Sequence, residues 1–124
     1  MAMLEDKSLD GHGEFMGQRV VGRQSVVELR GELDILNIPG ISDYLDVLTG
    51  GHQPHIVLDM REVSFLDASG LAMLVRARRR ATERNGRLSI VIRDPAVSRV
   101  LRLAHLTGYF NLHDSVEAAV ATAA

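Results

Sequence analysis

The chain has 124 residues, 14 Lys+Arg against 16 Asp+Glu, a formal net charge of −2, 46% hydrophobic and 24% charged residues, and no cysteine. That length fits one domain with one core, and the supply of Val, Ile and Leu argues against a mainly disordered chain. The near-neutral balance argues against a dedicated nucleic-acid binder, and the missing cysteines remove disulfides, thiolate-held zinc and thiol chemistry. No run approaches the ~18 apolar residues of a spanning helix. Residues 1–17 also lack the apolar core of a signal peptide, so a cytoplasmic location is expected, without membrane insertion.

Residues 1–14, with Gly11 and Gly13, read as a flexible leader, and residues 15–124 as the domain. Two short β-like runs follow, Arg19–Val21 and Ser25–Arg30, joined by a turn at Gly22–Arg23–Gln24. In the second, Val27 and Leu29 alternate with Glu28 and Arg30, one face buried and one wet. Gly31-Glu32-Leu33-Asp34 closes it. A helix begins around Asn37-Ile38-Pro39, Asn able to cap and Pro acceptable in a first turn. It carries Ile41, Tyr44, Leu45 and Leu48 on one face, and Gly50-Gly51 ends it.

His55–Met60 has the near-continuous apolar content of a central strand, and residues 61–68 then form a connection holding Val63, Phe65 and Leu66. A second helix spans about Ser69 to Arg84, with Leu71, Leu74, Val75 and Arg78 on its face and Asn85-Gly86 as its stop. Leu88–Ile92 is a strand, and Asp94-Pro95 opens a third helix with Val97, Val100, Leu101 and Ala104 spaced for burial. Phe110–Leu112 is a short strand, after which Asp114 or Ser115 caps a final Ala-rich helix ending at Ala124. The order ββαβαβαβα implies an α/β fold with a mostly parallel sheet covered by helices.

The loop Phe65-Leu66-Asp67-Ala68-Ser69-Gly70-Leu71 is where chemistry concentrates. Two bulky apolar residues anchor it, and Asp67 or Ser69 caps the helix that follows. Gly70 leaves room for another backbone to approach Ser69. Ser69 has two readings: a helix cap, or a presented hydroxyl that accepts a phosphoryl group. The second is physically sound, because a phosphate of about −1.5 to −2 charge is tolerated beside the free N–H groups of a helix N-terminus. A nucleophilic serine hydrolase is the weaker reading, since the Gly-x-Ser-x-Gly elbow is absent and His12, His52, His55, His105 and His113 are scattered. The same scatter gives no metal-ligand spacing, and no cofactor is expected. Arg76, Arg78, Arg79, Arg80, Arg84 and Arg87 read as a solvated helix face, partly compensated by Glu83. Their other reading is the rim of an interface with an acidic partner.

Gly31-Glu32-Leu33-Asp34 and Phe65–Leu71, taken together in this order, resemble the two signature stretches of the STAS domain family. The resemblance is to the bacterial anti-sigma-factor antagonists (anti-anti-sigma factors) and covers about residues 15–124. It implies a single α/β domain with a small, mixed, mostly parallel sheet of four or five strands and about four helices packed mainly on one side. It implies a partner, an anti-sigma factor with a histidine-kinase-like ATPase domain acting as a serine kinase, and a serine phosphatase that resets the switch. Carried onto this chain, the phosphoacceptor is Ser69, and Asp34, Asp67, Ala68, Ser69 and Gly70 form the partner-binding stretch. Two positions depart from the family's habit. Ala68 stands where many relatives have a second hydroxyl, and Ile35-Leu36-Asn37-Ile38-Pro39 is bulkier than the usual Thr-Ala-type helix start.

The expected function is therefore a non-enzymatic antagonist that binds the anti-sigma kinase, frees the sigma factor and is switched off at Ser69, with no nucleic acid and no membrane among its partners. The alternative is a STAS scaffold or ligand-sensing module in a regulatory complex. The short stretch ahead of the first strand is unlike the membrane helices or large N-terminal domains of transporter-linked and scaffold versions.

Overall fold

Val26 and Val27 are neighbours in the chain and both fully buried, but they enter different cores. A strand sends successive side chains to opposite faces, so this pair marks a sheet covered on both sides. The computed structural model describes residues 16–123; the leader expected at 1–14, together with Phe15 and Ala124, lies outside the described residues. The five strands are β1 (Met16–Val21), β2 (Gln24–Leu33), β3 (His55–Leu66), β4 (Arg87–Ile92) and β5 (Asn111–His113), side by side in sequence order. β1 and β2 form an antiparallel hairpin, and every later pairing is parallel. The helices are α1 (Ile38–Thr49), α2 (Ala68–Glu83), α3 (Pro95–Leu103) and α4 (Val116–Ala123).

Parallel neighbours joined by crossovers of one hand place their helices on one face. Ile41 and Leu45 of α1, Met73, Leu74 and Ala77 of α2, and Val97 and Leu101 of α3 accordingly share one core with Val27, Leu29, Leu58, Met60 and Ile90. α4 covers the opposite face, where Val116 and Ala119 meet Val26, Val57 and Val91. The expected mixed, mostly parallel sheet with helices mainly on one side is the architecture found.

Four local expectations change. β3 does not stop at Met60 but runs to Leu66, so most of the expected connection at 61–68 is strand. Its pairing with β4 ends at Met60↔Ile92, while pairing with β2 continues to Leu33↔Leu66. The polar residues Arg61, Glu62 and Ser64 suit a strand that has lost one neighbour. The buried stripe of α2 is Gly70, Met73, Leu74, Ala77 and Ala81, not the larger Leu71 and Val75, which pack at its flank. Small residues under the helix let it lie close to the sheet. Phe110 is buried but sits just before β5, and Ala104 is the exposed residue closing α3. The third helix does open at Asp94, whose carboxylate accepts the Ala96 N–H at 2.8 Å, and Ser115, not Asp114, caps α4 through the Ala118 N–H at 3.1 Å.

α2 ends with Asn85 at φ +61°, the Gly86 N–H bonding the Ala81 carbonyl at 2.8 Å and the Asn85 N–H bonding that of Thr82 at 3.0 Å. Gly86 is then pressed onto the start of β3: a Cβ there would overlap the Pro54 carbonyl oxygen and stand 2.7 Å from the Pro54 nitrogen. Backbone cannot yield as a side-chain tip can. Gly86→Ala is expected to cost about 2–3 kcal/mol, as overpacking does, seen in urea unfolding as a lower midpoint with an unchanged slope.

Candidate functional site

Leu33 and Leu66 are the last paired residues of β2 and β3 and both are buried, so the chain leaves the sheet at Asp34 and Asp67 side by side. The Asp67 N–H donates to the Leu33 carbonyl at 3.3 Å and joins the two exits directly. This is the carboxyl end of the parallel strands, the end where open α/β sheets place their sites. The two signature stretches, far apart in sequence, are thus one surface.

The first exit is an internally bonded turn. The Asp34 carbonyl accepts the N–H groups of Asn37 at 3.1 Å and Ile38 at 2.9 Å, and its carboxylate accepts that of Leu36 at 3.0 Å. Asn37, expected as the cap of α1, makes no side-chain capping bond there. It staples the turn instead, accepting the Asp34 N–H at 3.1 Å and donating to the Glu32 carbonyl at 2.7 Å. Holding the turn this way leaves Ile35 and Leu36 70% and 86% exposed, which the sequence alone could not decide.

On the second exit Asp67 is the cap and Ser69 is not. Asp67 has extended backbone, and its Oδ1 accepts the Gly70 N–H at 3.1 Å, so α2 starts at Ala68. Ser69 falls inside the first turn, half-exposed, and its hydroxyl donates to the same Oδ1 at 2.5 Å. The two readings of Ser69 therefore separate: the capping is done by its neighbour. The Ser69 hydroxyl and then the Gly70 N–H hold the Asp67 carboxyl below the ordinary carboxylate range, helped by the Ser69 and Ile35 N–H groups against a smaller desolvation. Ala68 is exposed beside them.

Gly70 is buried, and its need for hydrogen is internal: a Cβ would overlap Leu66 Cδ1 and sit 3.1 Å from Leu66 Cγ. The absent side chain lets α2 settle on the end of β3. Phe65, expected as an anchor with Leu66, is 47% exposed instead. Strand alternation sends Leu66 into the core and Phe65 out of it. Ile35, Leu36 and Phe65 thus belong to the two exits that carry Asp34 and Asp67. Phe65 was legible only through the strand phase, which a reading of 61–68 as connection hides.

The Arg-rich helix is less free than a solvated face. Arg76 makes a two-bond contact with the Asp46 carboxylate, 2.9 Å each, and Arg80 bonds Thr49 Oγ1 and the Asp46 carbonyl, also at 2.9 Å, tying α2 to α1. Arg78 lies 4.1 Å from the Tyr109 ring centre. Arg79 and Arg84 remain exposed. Among the described residues, no cluster of His, Asp and Glu is placed to hold a metal ion, and no helix is long and apolar enough to cross a membrane.

A mixed sheet with α1 to α3 on one face, α4 on the other and an acid-held serine in the first turn of α2 defines a small α/β domain. The chain belongs to the STAS domain family, whose model matches residues 18–119. It is similar to the crystal structure of an anti-sigma factor antagonist from Mycobacterium paratuberculosis, with 25% identity, TM-score 0.79, and 87% of this chain and 92% of that one covered. An anti-sigma-factor antagonist (STAS) domain protein from Planctomyces limnophilus matches in fold at 19% identity and TM-score 0.78, covering 88% of this chain and 97% of that one. The Bacillus cell fate determinant SpoIIAA in its phosphorylated form does so at 22% identity and TM-score 0.68, covering 86% and 97%.

Carboxyl carbon NMR should therefore find Asp67 titrating below the ordinary value of about 3.9, and Ser69→Ala should move it up toward that value by removing the largest cause. Because the folded value is the depressed one, the stability carried by ionised Asp67 is complete above the ordinary carboxylate range and is lost as pH falls through the folded value. An Asp67 titration unmoved by Ser69→Ala would contradict the bond.

Proposed function

We propose that this chain is an anti-sigma-factor antagonist. Its Asp34 and Asp67–Gly70 surface binds an anti-sigma factor bearing a histidine-kinase-like ATPase domain, and the sigma factor is thereby released. Phosphorylation at Ser69 ends the association, and a serine phosphatase restores it. The chain contributes a surface and an acceptor, not a reaction of its own; it acts in the cytoplasm, without nucleic acid or membrane. The observation that carries this reading is the placement of Ser69: a half-exposed hydroxyl in the first turn of α2, relieved of capping by Asp67.

Family membership and the fold shared with an anti-sigma factor antagonist support the partner class. The chemistry of the surface fits it. Ile35, Leu36 and Phe65 offer exposed apolar area on the two exits that carry Asp34 and Asp67, the mixture of apolar and charged groups an interface uses. A phosphoryl group on Ser69 adds about two negative charges beside a carboxylate. The partner would have to desolvate that charge on docking, whereas the domain has helix N–H groups to tolerate it. Loss of binding follows without loss of fold.

The test is a pull-down from source cells with the unmodified chain, followed by incubation with ATP and mapping of the modified residue. A kinase of the stated class should be retained, and one phosphoryl group should appear, on Ser69. Ser69→Ala should bind and stay unmodified, and Ser69→Asp should bind about tenfold more weakly or worse. Phosphorylation that persists undiminished in Ser69→Ala would overturn the site, and a high-mass complex without kinase would favour the scaffold role. Leu36→Glu should weaken kinase retention by about tenfold or more while leaving thermal stability nearly unchanged, because Leu36 is exposed in the free chain.

A further inference from the structure

The strongest contact at the site has a chemical consequence beyond positioning. Ser69 Oγ donates to Asp67 Oδ1 at 2.5 Å, the short end of hydroxyl–carboxylate bonds. With the hydroxyl hydrogen aimed at the carboxylate, the oxygen's lone pairs point elsewhere. Ser69 is half-exposed, so they are open to a phosphoryl donor arriving from outside. Resting on the reading of Ser69 as phosphoacceptor, we propose that Asp67 is the proton acceptor of the phosphoryl transfer, so that the substrate protein brings the base for its own modification to the kinase.

Three features of the chain fit that role. The Asp67 carboxylate is held before any partner arrives, by the Gly70 N–H at 3.1 Å on its oxygen and by the Asp67 N–H on the Leu33 carbonyl at 3.3 Å. A group already in place needs no reorganisation when charge moves. The nearby carboxylate of the first exit, Asp34, is occupied by the Leu36 N–H at 3.0 Å, whereas Asp67 bonds the reacting oxygen itself. A carboxylate is also basic enough. In a loose phosphoryl-transfer transition state the hydroxyl gives up its proton late, and protein kinases use an aspartate of their own for this purpose.

The step balances as follows. The donor is a nucleoside triphosphate bound by the kinase. Ser69 Oγ forms a bond to the γ-phosphorus, and the bond from that phosphorus to the β,γ-bridging oxygen breaks. The electron pair leaves with the nucleoside diphosphate. The Ser69 proton passes to Asp67 Oδ1 and from there to water, which the half-exposed carboxyl can reach. Once phosphorylated, Oγ has no hydrogen to donate, and Asp67 keeps its capping bond to Gly70 and the other backbone N–H groups that face it.

Asp67→Asn separates this role from capping, because Asn caps helices about as well as Asp and still offers an oxygen to both donors, but takes no proton. Single-turnover transfer from γ-labelled radioactive ATP would be followed with the kinase retained in the pull-down above. At saturating kinase, where any change in affinity at this binding residue does not enter the rate, Asp67→Asn should be labelled about 100-fold more slowly than wild type. Its rate should climb with pH as hydroxide takes over, while that of the unaltered chain is flat between about pH 6 and 8. Asp67→Glu, which keeps a carboxylate, should recover a large part of the rate, the two variants being compared at matched helical content by circular dichroism. An Asn variant labelled within about threefold of wild type, or a slow one whose pH profile parallels wild type, overturns the assignment. Glu and Asn variants that are equally slow overturn it as well, leaving Asp67 a cap. If the unaltered chain takes no label on Ser69, the phosphoacceptor reading itself fails; if it does and Asp67→Asn matches it, only the base assignment fails.

Discussion

The tail of the β2–β3 pairing is what the rest of the site depends on. After β4 has ended, β3 continues beside β2 from Arg61 to Leu66, through two shifts of register, one of them at Gly31 with φ +79°. Those shifts let the strands finish together at Leu33↔Leu66. Were either strand to stop earlier, Asp34 and Asp67 would leave from different levels and the Asp67–Leu33 backbone bond could not form. Burial of Leu33 and Leu66 fixes the depth at which the two loops start. The site is therefore set by core packing and backbone pairing, and its polar groups inherit their places.

Upon that foundation one carboxylate oxygen satisfies two donors. Asp67 Oδ1 takes the Gly70 N–H and the Ser69 hydroxyl together, which caps α2 and orients the serine at once. Gly70 belongs to the same geometry, since a Cβ there would force either buried Leu66 out of its place or α2 away from it. The Asp67-x-Ser69-Gly70 order is thus a mechanical unit: acid as cap, hydroxyl in the first turn, hydrogen against the core.

Much of this was legible in the chain itself. Alternation in Val27–Arg30, the apolar density of His55–Met60 and the stop at Asn85-Gly86 reported strands and a helix end faithfully. So did Asp94-Pro95. The residues of the two signature stretches pointed to one site before their proximity was visible. What stayed hidden depended on contacts distant in sequence. The strand beyond Met60 looks like a loop because Arg61, Glu62 and Ser64 are polar, and only the extension of β2 makes them strand. Asn37 looks like a helix cap until Glu32 and Asp34 are seen to hold both ends of its amide. The Arg cluster reads as a solvated face until Asp46, Thr49 and Tyr109 arrive beside it. Leu71 and Val75 mark the wrong flank of α2 by their size, because small Ala77 and Ala81 are the residues buried beneath it.

These dependencies also decide what kind of switch such a site can be. The contacts that hold the two exits together are a backbone bond, two buried leucines and a glycine against a side chain, and none includes the Ser69 hydroxyl. Removing that hydrogen, or replacing it with a charged group, leaves them intact. What it changes is local: Asp67 loses a donor, and the surface formed by the two exits, which also exposes Ile35, Leu36 and Phe65, gains charge. A net charge of −2 spread over 124 residues says nothing of this. A dianion on a surface that a partner must cover alters the desolvation of that surface by far more than the same charge elsewhere on the chain, because docking strips water from both together. A fold pinned from within can therefore carry a large change in surface chemistry while remaining the same fold.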